Sequence, residues 1–177
     1  MMHIFTRTKS LVLALAISTS CSLFSQSTEQ DSSALLDFWV GNWEASWDEG
    51  EGKKGYGVNH IEKVLDGTVI QENFEILKGQ SKGFKGTSIS VFQTGTKEWK
   101  QSWADNQGGF YCFTGDLKGD KKTFQTATIE TKDGKKITQR MVFYQITQDS
   151  MTWDWELSND GGESWTLNWR INYKRKE

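Results

Sequence analysis

Residues 151–174 read MTWDWELSNDGGESWTLNWRINYK, and the pattern within them decides the fold. Apolar residues alternate with polar ones on both sides of the turn Asn159-Asp160-Gly161-Gly162. The apolar positions are Trp153, Trp155 and Leu157 before the turn, and Trp165, Leu167, Trp169, Ile171 and Tyr173 after it. A period of two is that of a strand with one buried face and one wet face, and Asn, Asp and Gly supply the positive φ of tight turns. The stretch therefore predicts an antiparallel hairpin whose apolar residues face the core.

The same alternation recurs along most of the chain, in runs separated by turns that contain Gly. The runs lie near residues 40–48, 56–65, 68–77, 84–93, 97–105, 109–117, 121–131, 136–148, 151–159 and 164–174. Their spacing is typical of a sandwich or a barrel, and no helix of crossover length lies between them, which excludes a parallel sheet. We predict an all-β fold, a single antiparallel barrel of about ten strands, because closure leaves no edge strand unpaired. A two-sheet sandwich is the alternative, and a short N-terminal helix within 33–39 would plug one end of a barrel.

The composition agrees with one β domain and limits the partners. The chain has 177 residues, a length that suits one hydrophobic core. Nine Trp in a chain of mean hydropathy -0.63 concentrate the apolar surface in a few large aromatic side chains, which favour strands. The formal net charge of -2 provides no basic surface, so we expect no nucleic-acid partner.

The N-terminal segment has the order of a secretory signal. Arg7 and Lys9 precede an apolar run over 11–17, which is far shorter than the roughly 20 residues that a membrane span needs. We expect residues 1–25 to be a signal peptide, 26–33 a polar linker and 34–177 the barrel domain. The mature protein is then a periplasmic or secreted monomer with no transmembrane span.

A second processing outcome stays open. The sequence Ser18-Thr19-Ser20-Cys21 resembles a bacterial lipobox, although Ser18 stands where Leu is usual. Acylation of Cys21 would make the protein an outer-membrane lipoprotein, with a lipoprotein signal that ends before Cys21 in place of cleavage after Ser25. After cleavage at Ser25 only Cys112 remains, and its alternation with Phe110 predicts a buried side chain rather than a nucleophile.

Several polar residues are in phase with the aromatic ones. Gln101 lies between Trp99 and Trp103, Gln139 precedes Met141 on one face, and Glu72 alternates with apolar neighbours. Buried polar groups need partners, so their presence on an inward face indicates either a cavity with aromatic walls or a solid core in which each group is paired. The predicted wall of a ligand cavity is Trp99, Gln101, Trp103, Gln139, Trp153 and Trp155.

Acid–base chemistry is the alternative use of such residues. Glu72, or the pair His60 and Glu62, could transfer protons, since residues two apart share a strand face. Equally, His60 could be a hydrogen-bonded strand residue with no catalytic role. It is the sole His beyond residue 25, and no Cys-x-x-Cys occurs, so we expect no metal site and no cofactor.

A family resemblance begins at Phe38-Trp39-Val40-Gly41-Asn42-Trp43. This F-W-x-G-x-W sequence resembles the opening of a group of bacterial exported lipocalin-like domains of unknown function, within the calycin superfamily. Residues 85–92 (KGTSISVF) and 99–109 (WKQSWADNQGG) add further matches. The resemblance implies an antiparallel calycin-like barrel with a short N-terminal helix. It transfers no reaction, although some calycin relatives are cofactor-free enzymes of decarboxylation or cyclisation.

Three functions follow from these observations. The first is an exported barrel that binds a small, partly apolar ligand in its cavity, and this is the function we expect. The second is a cofactor-free calycin-type enzyme. The third is a non-catalytic envelope protein with a solid core.

Overall fold

The computed structural model describes residues 31–176 of the chain. The expected signal peptide over 1–25, Cys21 and most of the expected linker lie outside this range. Within the described range, no helix is long and apolar enough to cross a membrane.

Two short 3₁₀ helices, Ser32–Ala34 and Asp37–Trp39, precede eleven β-strands. The strands are β1 (Gly41–Asp48), β2 (Lys54–Val64), β3 (Val69–Lys78), β4 (Lys85–Gln93), β5 (Glu98–Asp105), β6 (Phe110–Asp116), β7 (Lys122–Thr126), β8 (Ile129–Glu130), β9 (Lys136–Tyr144), β10 (Ser150–Ser158) and β11 (Thr166–Arg175). Their bounds lie close to the predicted runs, except that the seventh run divides into β7 and the very short β8.

Every strand pairing is antiparallel, and the pairings close on themselves. Strands β1 to β7 pair in chain order, and β7 pairs with β9. The two-residue strand β8 pairs only with β9 and is not part of the closed ring of strands. Strand β9 pairs with β10, β10 with β11, and β11 with β1. Ten strands thus form a closed antiparallel barrel, which confirms the predicted all-β fold and rules out the two-sheet sandwich.

The 3₁₀ helices close one end of this barrel. Leu36 and Trp39 are buried in the core, and the Trp39 ring meets the Phe143 ring edge-on at 5.4 Å between centroids. Trp43 Nε1 donates to the Trp39 carbonyl at 2.8 Å. Arg175 Nη1, from the last strand, donates to the Val40 carbonyl at 2.9 Å. These contacts bind the N-terminal turns to β1 and β11.

The predicted inward facing is wrong for Leu167 on β11 and for Trp165, which precedes that strand. Trp155 pairs with Trp169, but Glu156 pairs with Leu167, so Asn168 is an extra residue in the ladder. Such a bulge reverses the side-chain phase beyond it. Leu167 is consequently 44% exposed on the outer face, and Trp165 lies outside the barrel under the Arg140 guanidinium.

The predicted burial of Cys112 is also wrong, because the Cys112 side chain is exposed. Apolar residues occupy both faces of β6, so its own alternation is ambiguous. The inner face is decided by pairing with β5, where Phe113 lies opposite Gln101 and Cys112 lies opposite Ser102.

Candidate functional site

The barrel contains a cavity of about 310 Å³. Ten of the fifteen residues that line it are aromatic, and they come from the inward positions of the strands and from the N-terminal turns. The period-two pattern places them there, since alternate residues of each strand point to the same side. The aromatic residues are Trp39, Phe74, Phe84, Trp103, Tyr111, Phe113, Trp153, Trp155, Trp169 and Tyr173.

The Trp side chains pack against one another as a continuous wall. Trp153 and Trp155 are stacked, with ring planes 8° apart. Trp169 meets Trp153 edge-on at 5.7 Å, and Tyr111 meets Trp155 edge-on at 5.8 Å. These four residues are half-buried, so their inward rings keep some contact with solvent. The wall is therefore rigid, because each ring is held by the next, and part of it remains open to a ligand.

Glu72 is the charged group at the deep side of the cavity. It is 7% exposed on β3, facing inward. Its Oε1 accepts from Asn59 Nδ2 at 2.7 Å, and its Oε2 accepts from Ser88 Oγ at 2.7 Å. Burial raises the pKa of Glu72 to about 7, against the two hydrogen bonds that lower it. The carboxyl group therefore changes its charge near neutral pH.

A small polar cluster surrounds this carboxyl group. Asn59 Nδ2 also lies 3.3 Å from the Tyr173 hydroxyl oxygen. Burial raises the pKa of Tyr173 far above its usual value, so its hydroxyl stays protonated. Within residues 31–176, the buried atoms Asn59 Oδ1, Gln101 Oε1 and Trp39 Nε1 have no hydrogen-bond partner. Of these three residues, Trp39 lines the cavity.

Asp105 is the second acid on the cavity wall, at the end of β5. Burial by itself would raise the pKa of Asp105, but hydrogen bonds from the backbone of Gly109, the Trp103 indole and the backbone of Gln107 lower it below its ordinary value. The Trp103 Nε1 contact is 3.2 Å long. Asp105 thus stays ionised, holds the turn after β5 and orients the Trp103 ring.

Three residues of the expected ligand wall line this cavity: Trp103, Trp153 and Trp155. The other three do not. Trp99 is buried and its Nε1 donates to the Ser32 carbonyl at 2.9 Å, so it supports the N-terminal turns. Gln101 is buried beside the cavity and donates to Ser90 Oγ at 2.9 Å. Gln139 is half-buried on β9, away from the cavity lining.

The acid–base candidates are separated by the barrel wall. Glu72 faces the cavity, whereas His60 and Glu62 lie on the outer face of β2. His60 Nδ1 lies 2.6 Å from Asn42 Oδ1, and His60 Nε2 lies 3.8 Å from Glu62 Oε1. Both side chains are about half exposed. His60 lines an open groove of about 630 Å³, and Glu62 does not, so the pair does not face one common site.

Sequence reasoning missed several of the residues that complete the site. Trp169 and Tyr173 carried a usable signal, because their alternation on the last strand predicts that they face inward. Trp39 lies in the segment predicted to plug one end of the barrel, although nothing in that segment indicated that its side chain lines the cavity. Phe84 carried no signal, since it precedes β4 and reaches the cavity only through the closure of the barrel. No metal-binding group of three or more His, Cys, Asp or Glu side chains occurs among the described residues.

Comparison with known proteins adds no relative to this description. No protein-family model matches the chain, and no curated protein matches it. The closed ten-stranded antiparallel barrel is consistent with a calycin-like fold.

Proposed function

We propose that this protein binds a small, partly apolar molecule inside its barrel. The observation that carries this function is the cavity of about 310 Å³, with its aromatic wall and its few polar groups. Small-molecule sites are usually built in this way, as apolar pockets with a small number of polar anchors. A solid core, the alternative of a purely structural envelope protein, would leave no such volume.

The size of the cavity limits the ligand. Pockets for drug-sized molecules span about 300–1,000 Å³, and a dry cavity of about 150 Å³ accepts benzene. A volume of about 310 Å³ therefore suits a molecule with one or two rings. The stacked pair Trp153 and Trp155 offers flat surfaces against which such rings would lie.

Polar atoms in and beside the cavity indicate a ligand with polar substituents. An unpaired buried donor or acceptor costs about 1–3 kcal/mol. Trp39 Nε1 is such a donor on the lining. A ligand that accepts a hydrogen bond from this atom gains that energy on binding. The polar end of the ligand would thus lie near Glu72, with its apolar body among the Trp rings.

The location of the protein follows from the N-terminal segment. Arg7, Lys9 and the apolar run over 11–17 favour export to the periplasm or the medium. Acylation at Cys21 is the alternative, and it would keep the barrel at the outer membrane. Both outcomes agree with membership of the exported lipocalin-like domains that the opening sequence resembles. Intact-mass measurement of the protein from its own envelope distinguishes the two, since an acyl increment on Cys21 appears in only one.

Ligand binding is tested by tryptophan fluorescence, because five of the nine Trp line the cavity. The unliganded protein is titrated with a panel of one- and two-ring compounds and with lipids. We expect aromatic members of the panel to change the emission.

Trp155→Ala should lower the affinity for these aromatic compounds by about tenfold. The matched control is Trp165→Ala, which removes an outer-face Trp and should leave affinity unchanged. Unchanged emission across the whole panel would refute the function.

One observation favours an enzyme as the second candidate. Glu72 is enclosed beside the cavity and its pKa is about 7, which is the value that suits a general acid or base at neutral pH. The two functions differ in what happens to the ligand. Mass spectrometry of bound compounds after incubation would reveal an altered mass for an enzyme, and Glu72→Gln would then return the compound unchanged.

A further inference from the structure

The charged residues on the cavity wall are all of one sign. Glu72 and Asp105 are acids, and no Lys, Arg or His of the described chain lines the cavity. Both arginines of β11 have other partners. Arg170 donates two hydrogen bonds to Asp154 on the outer face, and Arg175 donates to backbone carbonyls at the closed end. A carboxylate ligand would therefore meet two acids and no counter-charge.

The aromatic wall adds attraction for positive charge. The face of an aromatic ring carries negative potential, and Trp attracts a cation more strongly than Tyr or Phe does. Four Trp, namely Trp103, Trp153, Trp155 and Trp169, line the half-open part of the cavity. Trp153 is stacked on Trp155 and meets Trp169 edge-on, and Trp103 lines the same cavity. Several aromatic rings around one cavity are also the means by which aromatic cages bind ammonium groups.

The deep side of the cavity offers acceptors to a cationic donor. Each carboxylate oxygen of Glu72 accepts one hydrogen bond, from Asn59 or from Ser88, so each keeps capacity for a further one. Trp39 Nε1, on the cavity lining, is buried without a hydrogen-bond partner among the described residues, so it can donate to an oxygen substituent of the same ligand.

Resting on the ligand-binding function above, we propose that the ligand is an organic cation, a protonated or quaternary amine carried on an apolar body of one or two rings. The ammonium group lies between the Trp faces and the Glu72 carboxylate, and the rings pack against the stacked pair Trp153 and Trp155. This identifies the chemical class of the ligand, and it excludes fatty acids and other apolar carboxylates.

Proton uptake and cation binding are coupled at this site. The groups that face Glu72 are Asn59 on β2, Ser88 on β4 and, through Asn59, Tyr173 on β11. Tyr173 keeps its proton, so Glu72 is the group of this cluster that titrates near neutral pH. A bound cation favours the ionised carboxylate. Cation affinity should therefore rise with pH through about 7, and binding below that pH should release a proton.

Three probes of matched shape test the charge: phenethylammonium, 2-phenylethanol and 3-phenylpropanoate. Each is titrated into the whole protein at pH 8, with tryptophan emission as the readout. We expect the ammonium compound to bind at least about tenfold more tightly than the alcohol, and the carboxylate to bind most weakly. Glu72→Gln should reduce the preference for the ammonium compound over the alcohol. Glu62→Gln serves as the matched control, because that carboxylate lies on the outer face of β2 and does not line the cavity.

The outcomes separate this inference from the function on which it rests. Equal affinities for the ammonium compound and the alcohol, or a preference for the carboxylate, would overturn the cation class and keep small-molecule binding. Absence of binding by all three probes, together with a silent panel, would overturn both. If Glu72→Gln fails to fold, the comparison of the three probes on the unaltered protein still decides.

Discussion

The buried carboxyl group of Glu72 should make the stability of the barrel depend on pH in an unusual direction. Its pKa is about 7 in the folded protein, against an ordinary value of about 4.5 for a solvated glutamate. Between these values the folded state binds a proton that the unfolded state has released. By linkage, the contribution of Glu72 to the free energy of unfolding is fully present below about pH 4.5 and is lost as pH rises to about 7.

The magnitude follows from the difference between the two pKa values. Each unit of pKa corresponds to about 1.4 kcal/mol, so the loss amounts to roughly 3 kcal/mol. Urea unfolding at pH 5, 6, 7 and 8, for the wild type and for Glu72→Gln, measures it. The wild type should lose about 2.5 kcal/mol more than the variant between pH 5 and pH 8, because Gln carries no charge to desolvate. At the highest pH the variant should equal or exceed the wild type in stability.

The control is Glu62→Gln, which removes a carboxylate from the outer face of β2, one strand away. Its profile should follow that of the wild type at every pH. A difference between wild type and Glu72→Gln that is the same at pH 5 and at pH 8 would refute the desolvation argument. It would mean that the polar cluster solvates the carboxylate as well as water does.

Three further outcomes are expected. Gly86→Ala should destabilise the barrel by about 1–3 kcal/mol in urea unfolding and weaken ligand binding, because the added Cβ would overlap the Trp103 ring. The control Gly95→Ala adds its Cβ in open space and should change neither stability nor binding. Asp154→Asn should lower the free energy of unfolding by about 1–3 kcal/mol in the same assay, because Asp154 is buried beneath the half-exposed Arg170. A loss smaller than the error of the assay would show that this ion pair does not stabilise the fold. Cys112 should react with a thiol reagent in the folded protein at the rate of an exposed thiol, and protection until unfolding would contradict its position.

The fold could be predicted because its determinants are local. Trp43, Ala45 and Trp47 alternate with polar residues, and all three are buried on β1 as the period requires. The prediction was wrong where local pattern is degenerate, as at Cys112, or where one extra residue shifts the phase, as at Leu167. A bulge is fixed by the pairing of two strands, so neither strand alone reveals it.

The candidate site could be predicted less well, for a related reason. Alternation identifies inward residues, and it gave Trp103, Trp153 and Trp155 correctly as inward. Depth along the barrel axis is a separate quantity, set by the stagger of the strands when the barrel closes. Trp99 and Trp103 share one face of β5, yet one supports the N-terminal turns and the other lines the cavity.

The pairing of β11 with β1 also sets when the cavity comes into existence. These two strands lie at opposite ends of the domain in sequence, so the wall stays incomplete until the last strand is present. Trp169 and Tyr173 arrive with that strand, and the turns around Trp39 are held by Arg175 from the same strand. A partly synthesised chain thus has no cavity to fill. Under the proposed function, the barrel can bind its ligand only after the final strand has joined β1.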